Sequence, residues 1–166
     1  EPALKPASML AGDGQVLVLA TEVTLKLDKF RHLMESYGKD AVPIPAPKLV
    51  PMIEAGRTEG PEIRALLEEY LSPYLKKPVK AVVLGCTHYV FLKPALRKYL
   101  PADILLIDGN EGTARQLKKR LTQQNLLCAA GSAPGNVEFH STLKDAEIIS
   151  RMQMMFQLAL AQIRDR

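Results

Sequence analysis

The chain has 166 residues, 47% of them hydrophobic and 24% charged, with a net charge of +4. That balance provides a real core, argues against global disorder, and fits one domain or two very small ones. Aromatic residues make up 5% and Trp is absent, so the core is aliphatic. No apolar run approaches the roughly 20 residues of a bilayer span, and no secretory signal is visible. The densest basic cluster, Lys118-Lys119-Arg120, has no interleaved aromatics and reads as a solvated helix end, so neither membrane nor nucleic acid is an expected partner.

In chain order, the sequence enters helix-like residues at once after Glu1-Pro2, as a piece of something longer would. "QVLVLAT" (15–21) predicts a buried strand, and 25–38 a helix stopped by Gly38. Prolines make 41–47 extended rather than helical. Short helices are expected over 49–56 and, with Pro61 in its first turn, over 60–75. "KAVVLGC" (80–86) predicts the second strong strand, 91–100 a helix, 103–108 a third strand and 111–125 a helix. A Gly/Pro/Ser loop follows over 128–136, then a late strand over 137–142 and a closing helix over 145–163. Alternating strand and helix, with strands that are continuous apolar runs, implies an α/β fold with a buried parallel sheet. Ligands bind such sheets at the carboxyl ends of the strands. That rule selects 21–24, 86–88 and 108–111.

Cys86 stands at one of those exits, followed two residues later by His88. A thiolate there is favoured by a helix N-terminus or a neighbouring cation. A Cys–His pair suits covalent acyl transfer, and it equally suits proton transfer with the thiol as base. The plain alternative is a core thiol beside a satisfied histidine. Gly85, which would permit close approach of a ligand to the backbone, tips the reading toward function. Thr21 and Thr24 could cradle a carboxylate at a helix start, although an N-cap by Thr24 is, on these residues alone, the better explanation. Glu54, the acid within "VPMIE", is either a buried acid or orienting group or an exposed helix residue. Turn chemistry explains Asp108 as well as function does. His32, Cys128 and His140 read as structural. The two cysteines, far apart, offer no disulfide framework or zinc spacing, so reduced thiols and a cytoplasmic location are expected. With no Gly-rich phosphate loop and no ligand cluster, no metal or cofactor is expected.

"VVLGCTHYVFLKPALRKYLP" followed by "ILLIDGNEGTARQLKKRL" closely resembles the C-terminal part of bacterial glutamate racemases, and "EPALKPA", "VLATEVTLKLDKF" and "APKLVPMIEAG" stand in that family's order. The resemblance runs from Glu1 to about Leu121 and weakly to Thr142. It implies flavodoxin-like three-layer lobes with parallel sheets, one complete over 3–79 and the other only partly present as a returning segment, 80–166. It further implies cofactor-independent interconversion of L- and D-glutamate by two cysteines on opposite faces of Cα, supplying D-glutamate for peptidoglycan. On this resemblance Cys86 is one of the two thiols, Thr87 binds substrate, and His88 supports the thiol or the substrate ammonium. Thr21 and Thr24 match hydroxyls near the substrate, and Glu54 matches a supporting acid.

The family's Asp-Ser-Gly element and its Ala-Cys-Asn-Thr element, which holds the other thiol, are missing, and the setting of Cys128 is unsuited to replace it. Ala46, Val90 and Gly109 stand where many relatives have Cys, Pro and Ser. The resemblance therefore implies a chain lacking an N-terminal segment, weakly active or inactive alone. Its sheet would have an unpaired edge, covered in a homodimer or by that segment in trans. A related aspartate or hydantoin racemase, a binding module keeping half a site, and a thiol hydrolase are the competing readings.

Overall fold

The strongest apolar runs lie side by side at the centre of one parallel sheet, β1 (Gln15–Ala20) against β3 (Val79–Leu84), in the order β2-β1-β3-β4. This is seen in a computed structural model that describes residues 2–11, 14–39, 41–129, 131–133, 135–143 and 145–164. Glu1, and Ala130 and Pro134 of the loop expected over 128–136, lie outside the described residues. The chain divides into two compact units, Glu1–Gly112 and Thr113–Arg166.

In the first unit, β2 (Ala41–Pro45) is an edge strand in register with β1, Val18 opposite Pro43 and Ala20 opposite Pro45. An edge is where a sheet tolerates prolines, because one side of the strand needs no N–H donors. The third predicted strand is shorter than 103–108: β4 spans Leu105–Ile107 and pairs with Ala81–Val83. Side chains of alternating residues take opposite faces. Val16, Val18, Ala81 and Val83 pack with Leu4 and Ala7 of α1 (Leu4–Ala11), flanked by Phe30, Leu33 and Met34. The opposite set, Leu17, Leu19, Val82 and Leu84, is equally buried. Its cover comes from α4 (Leu49–Glu54), α5 (Pro61–Leu71), a 3₁₀ turn (Tyr89–Leu92) and α6 (Lys93–Tyr99), which bury Ile53, Ile63, Leu67, Leu71, Tyr89, Leu92 and Leu96. The result is the expected helix–sheet–helix layering.

Two expectations are corrected. The helix expected over 25–38 starts earlier and is broken. Thr21 caps α2 (Glu22–Lys26), extended backbone at Leu27 (φ −74°, ψ 137°) interrupts, and α3 (Asp28–Tyr37) follows, closed by Gly38. The strand expected over 137–142 pairs with nothing in the sheet; its alternation leaves Val137 exposed, and Phe139 meets Phe156 edge-to-face at 5.7 Å within the second unit. The sheet runs on through β3, which begins at Val79 and is hydrogen-bonded to β1 as a central strand. Helix α7 (Asn110–Gln123) runs from the first unit into the second, and α8 (Ala146–Arg164) lies in the second.

Gly85 shows how tightly the strand ends are packed. Its N–H donates to Leu19 O at 2.8 Å, and a Cβ built on it would lie 2.8 Å from that same oxygen. The glycine thus serves strand-to-strand approach, a backbone constraint with no flexible atom to yield. Gly85→Ala is expected to destabilise the fold by about 1–3 kcal/mol, through overpacking. Urea unfolding would check this: a lower midpoint at unchanged slope is expected, and an unchanged midpoint would refute the packing account.

Candidate active site

Because the strands are parallel, their carboxyl ends open on one edge of the sheet, and three exits carry polar chemistry. Beyond Gly85 the chain turns rather than continuing extended: Tyr89 N donates to Cys86 O at 3.1 Å, and Phe91 N to His88 O at 3.1 Å. The turn brings His88 back toward the thiol, with Cys86 Sγ 3.8 Å from His88 Nδ1. The other ring nitrogen, Nε2, lies 3.2 Å from Glu54 Oε1, reached from the last residue of α4. His88 and Glu54 are both partly exposed, at 26% and 33% of their side-chain surface, so the line of groups is sheltered yet open to a ligand. Thr87, between thiol and imidazole, is exposed.

This line has a definite chemical capacity. A carboxylate accepting Nε2–H fixes the imidazole tautomer and leaves Nδ1 as an acceptor facing the thiol. The thiol proton then has somewhere to go, and the resulting imidazolium is paired with Glu54. Such a thiol can act as base or as nucleophile.

Thr21 and Thr24 sit at the neighbouring exit, but they answer to each other. Thr21 Oγ1 accepts from Thr24 N at 3.2 Å, and the two hydroxyl oxygens are 2.9 Å apart. Thr21, not Thr24, is the N-cap. At the β4 exit, Asp108 accepts from Asn110 N at 2.7 Å, the expected turn, and is also ion-paired with Lys93 at the start of α6. The sequence reading missed that pair; a lysine at a helix start facing a strand exit was its only signal. It also missed Tyr89, a fully buried tyrosine whose hydroxyl donates to Ala46 O at 2.8 Å. Burial, and secondarily the nearby Cys86, push its phenol well above the ordinary value of 10.0, so it remains a donor. His32 bonds Asp28 O, His140 meets Glu138 and Cys128 is exposed. Among the described residues no three His, Cys, Asp or Glu side chains converge as metal ligands, and no helix is long and apolar enough to cross a membrane.

Residues 1–117 match the Asp/Glu/Hydantoin racemase family. The chain belongs to that family. It is 39% identical to a glutamate racemase of Clostridium perfringens over 160 residues, 95% of this chain and 61% of the relative. The chain thus spans about three-fifths of the length of the curated relative it matches. Among solved structures, glutamate racemase from Francisella tularensis subsp. tularensis in complex with D-glutamate superposes with a TM-score of 0.73 at 28% identity, covering 91% of this chain and 57% of that one. Escherichia coli glutamate racemase in complex with L-glutamate and the activator UDP-MurNAc-ala gives 0.72 at 26% identity, covering 94% and 59%. The racemase-family sheet is therefore shared with proteins crystallised with either enantiomer of one amino acid.

The Lys93–Asp108 pair generates a test. Asp108 keeps only 9% of its side chain exposed, so Lys93→Met leaves a sheltered carboxylate without its ammonium. A loss of about 2–4 kcal/mol is expected. In a double-mutant cycle Asp108→Asn should recover part of that loss, and strict additivity would show the pair to be energetically silent.

Proposed function

We propose that this chain carries the Cys86 half of a cofactor-independent amino-acid racemase site that interconverts L- and D-glutamate. The observation that carries the reading is the line Cys86 Sγ, His88 Nδ1, His88 Nε2 and Glu54 Oε1, with contacts of 3.8 and 3.2 Å, at the exit of a central strand. Glutamate, rather than aspartate or a hydantoin, is supported by the names of the relatives and by the enantiomers bound in the two structural neighbours.

The steps follow from the chemistry of the groups. His88, held by Glu54, takes the Cys86 thiol proton and leaves a thiolate. The thiolate removes the α-hydrogen as a proton, and the C–H electron pair passes into the substrate carboxylate as an enolate-like anion. Thr87, with Thr21 and Thr24 at the adjacent exit, supplies hydroxyls to that carboxylate and its ammonium neighbour. Preorganised donors at the growing charge are what such a weak carbon acid needs. Return of a proton from Cys86 restores the starting enantiomer, and a second thiol on the opposite face inverts it. That second thiol is the one the family carries in its Ala-Cys-Asn-Thr element. The D-glutamate formed supplies peptidoglycan, in the cytoplasm. Pairing with a segment bearing the family's N-terminal elements supplies that thiol and completes the site, whereas pairing with a second copy covers a sheet edge without adding it.

Deuterium uptake at Cα, followed by NMR of D- and L-glutamate in D₂O, tests the half-reaction directly. Exchange of one enantiomer is expected, abolished in Cys86→Ala and slowed about 10²-fold or more in Glu54→Gln, the range of general acid–base contributions. Exchange that survives Cys86→Ala would overturn the reading. So would its absence from folded protein even after the N-terminal elements are added in trans.

A further inference from the structure

Glu54 and His88 are 34 residues apart in sequence and sit on different elements, α4 and the turn after β3. Their 3.2 Å contact therefore depends on how α4 is seated against that turn. Helix α4 is short, six residues, with no side-chain cap at its start, so its own hydrogen bonds fix its direction weakly. What holds its start is the carbonyl of Ala46, which accepts from Leu49 N at 3.3 Å and from the Tyr89 hydroxyl at 2.8 Å. Ala46 N in turn donates to Ala20 O at 3.1 Å, at the end of β1. Two residues on, Lys48 N donates to the Tyr70 hydroxyl of α5 at 3.4 Å. At its other end Tyr89 is rigidly part of the site, since its N–H closes the turn onto Cys86 O at 3.1 Å.

We infer that Tyr89 is a positioning residue: one residue bonds both the turn that bears Cys86 and His88 and the chain that launches α4, and so sets where Glu54 meets the imidazole. The inference rests on the acid–base reading of Cys86 and His88 given above. The hydroxyl touches no reacting atom in this account. It acts through Ala46 O on α4, through α4 on Glu54, and through Glu54 on His88. The bond is fully buried, so water cannot substitute for it. A buried ring with a single hydroxyl also lets the bond be removed without changing the packing, because Phe fills the same space. A displacement of Glu54 by about 1 Å is enough to disturb a catalytic geometry by roughly two orders of magnitude.

The test compares Tyr89→Phe with Val79→Ala, both in a Cys128→Ser background that removes the other, exposed thiol. Val79 is buried at the entry end of β3, the far end from Cys86, so its truncation loosens the fold without touching the exit. The first readout is the rate of Cys86 alkylation by iodoacetamide as a function of pH, which follows thiolate formation and requires no glutamate chemistry. The second is Cα deuterium exchange. Tyr89→Phe is expected to displace the midpoint of the alkylation profile and to slow exchange by about 10–100-fold, whereas Val79→Ala moves neither. In a Glu54→Gln background, adding Tyr89→Phe should change the profile no further, because the two act along one path. A profile for Tyr89→Phe that superimposes on the parent, an equal displacement by Val79→Ala, or full additivity with Glu54→Gln would each overturn the inference. If the profile is displaced as expected but neither enantiomer exchanges in the parent even with the family's N-terminal elements added in trans, the positioning role stands and the glutamate reading fails.

Discussion

The site depends on how far β1 and β3 stay paired. Their ladder runs out to Leu19 and Leu84, and the Gly85 N–H adds one more bond to Leu19 O, with the backbones so close that a methyl group has no room. That approach fixes the last rigid residue before Cys86. A side chain at 85 would push the strands apart where the thiol leaves the sheet. The same backbone contact that completes the sheet therefore aims the turn, and the turn aims the thiol. The stability of the centre and the geometry of the exit are one constraint, which is why function at this edge needs no strained residue of its own.

From that fixed point the order spreads outward by hydrogen bonds to the main chain. Ala46 N reaches Ala20 O, Ala46 O receives Tyr89, and Tyr89 N returns to Cys86 O. The ends of three adjacent strands are thus closed into a ring of hydrogen bonds. Side chains that carry chemistry hang from the ring but contribute little to it. This division lets Glu54 and His88 remain partly exposed: burial is concentrated in Tyr89, Leu92, Ile53 and the strands beneath. Glu54 and His88, partly exposed, avoid much of the desolvation cost that a core location would impose.

Much of this layout was legible in the sequence, for identifiable reasons. Continuous apolar runs located β1 and β3 to within about two residues, because burial on both faces leaves few other uses for such runs. The parallel-sheet rule then selected 86–88 and 21–24 as exits. The break at Leu27 was hidden, since apolar spacing at 25, 30, 33 and 34 continues across it and only the Thr21 cap, four residues upstream of the expected start, resets the helix. The 137–142 alternation is real but found no sheet edge, and alternation alone cannot supply a partner. Proximity in space was the least legible. Resemblance marked Glu54 and His88 separately, but that the two lie against each other was not legible, as spacing along the chain carries no such information. Gly85 was read as an opening for a ligand, whereas the neighbouring strand fills the space. Tyr89 was invisible because an aromatic residue inside "HYVFL" reads as core, which it also is.

The hydroxyls at Thr21 and Thr24 mark the limit of reading chemistry from residue types. As sequence, two threonines at a strand exit look like a pair of free donors. In the fold their first obligation is local, since an uncapped α2 would leave backbone N–H groups without a partner. Yet that obligation does not remove them from binding. Each hydroxyl has one proton and two lone pairs. Of the two protons, one joins the oxygens to each other, and the backbone N–H of Thr24 takes a further lone pair of Thr21. The second hydroxyl proton is left to turn outward. The cap thus orients the pair and leaves one hydroxyl proton uncommitted at the edge, the donor that the proposed carboxylate contact would use.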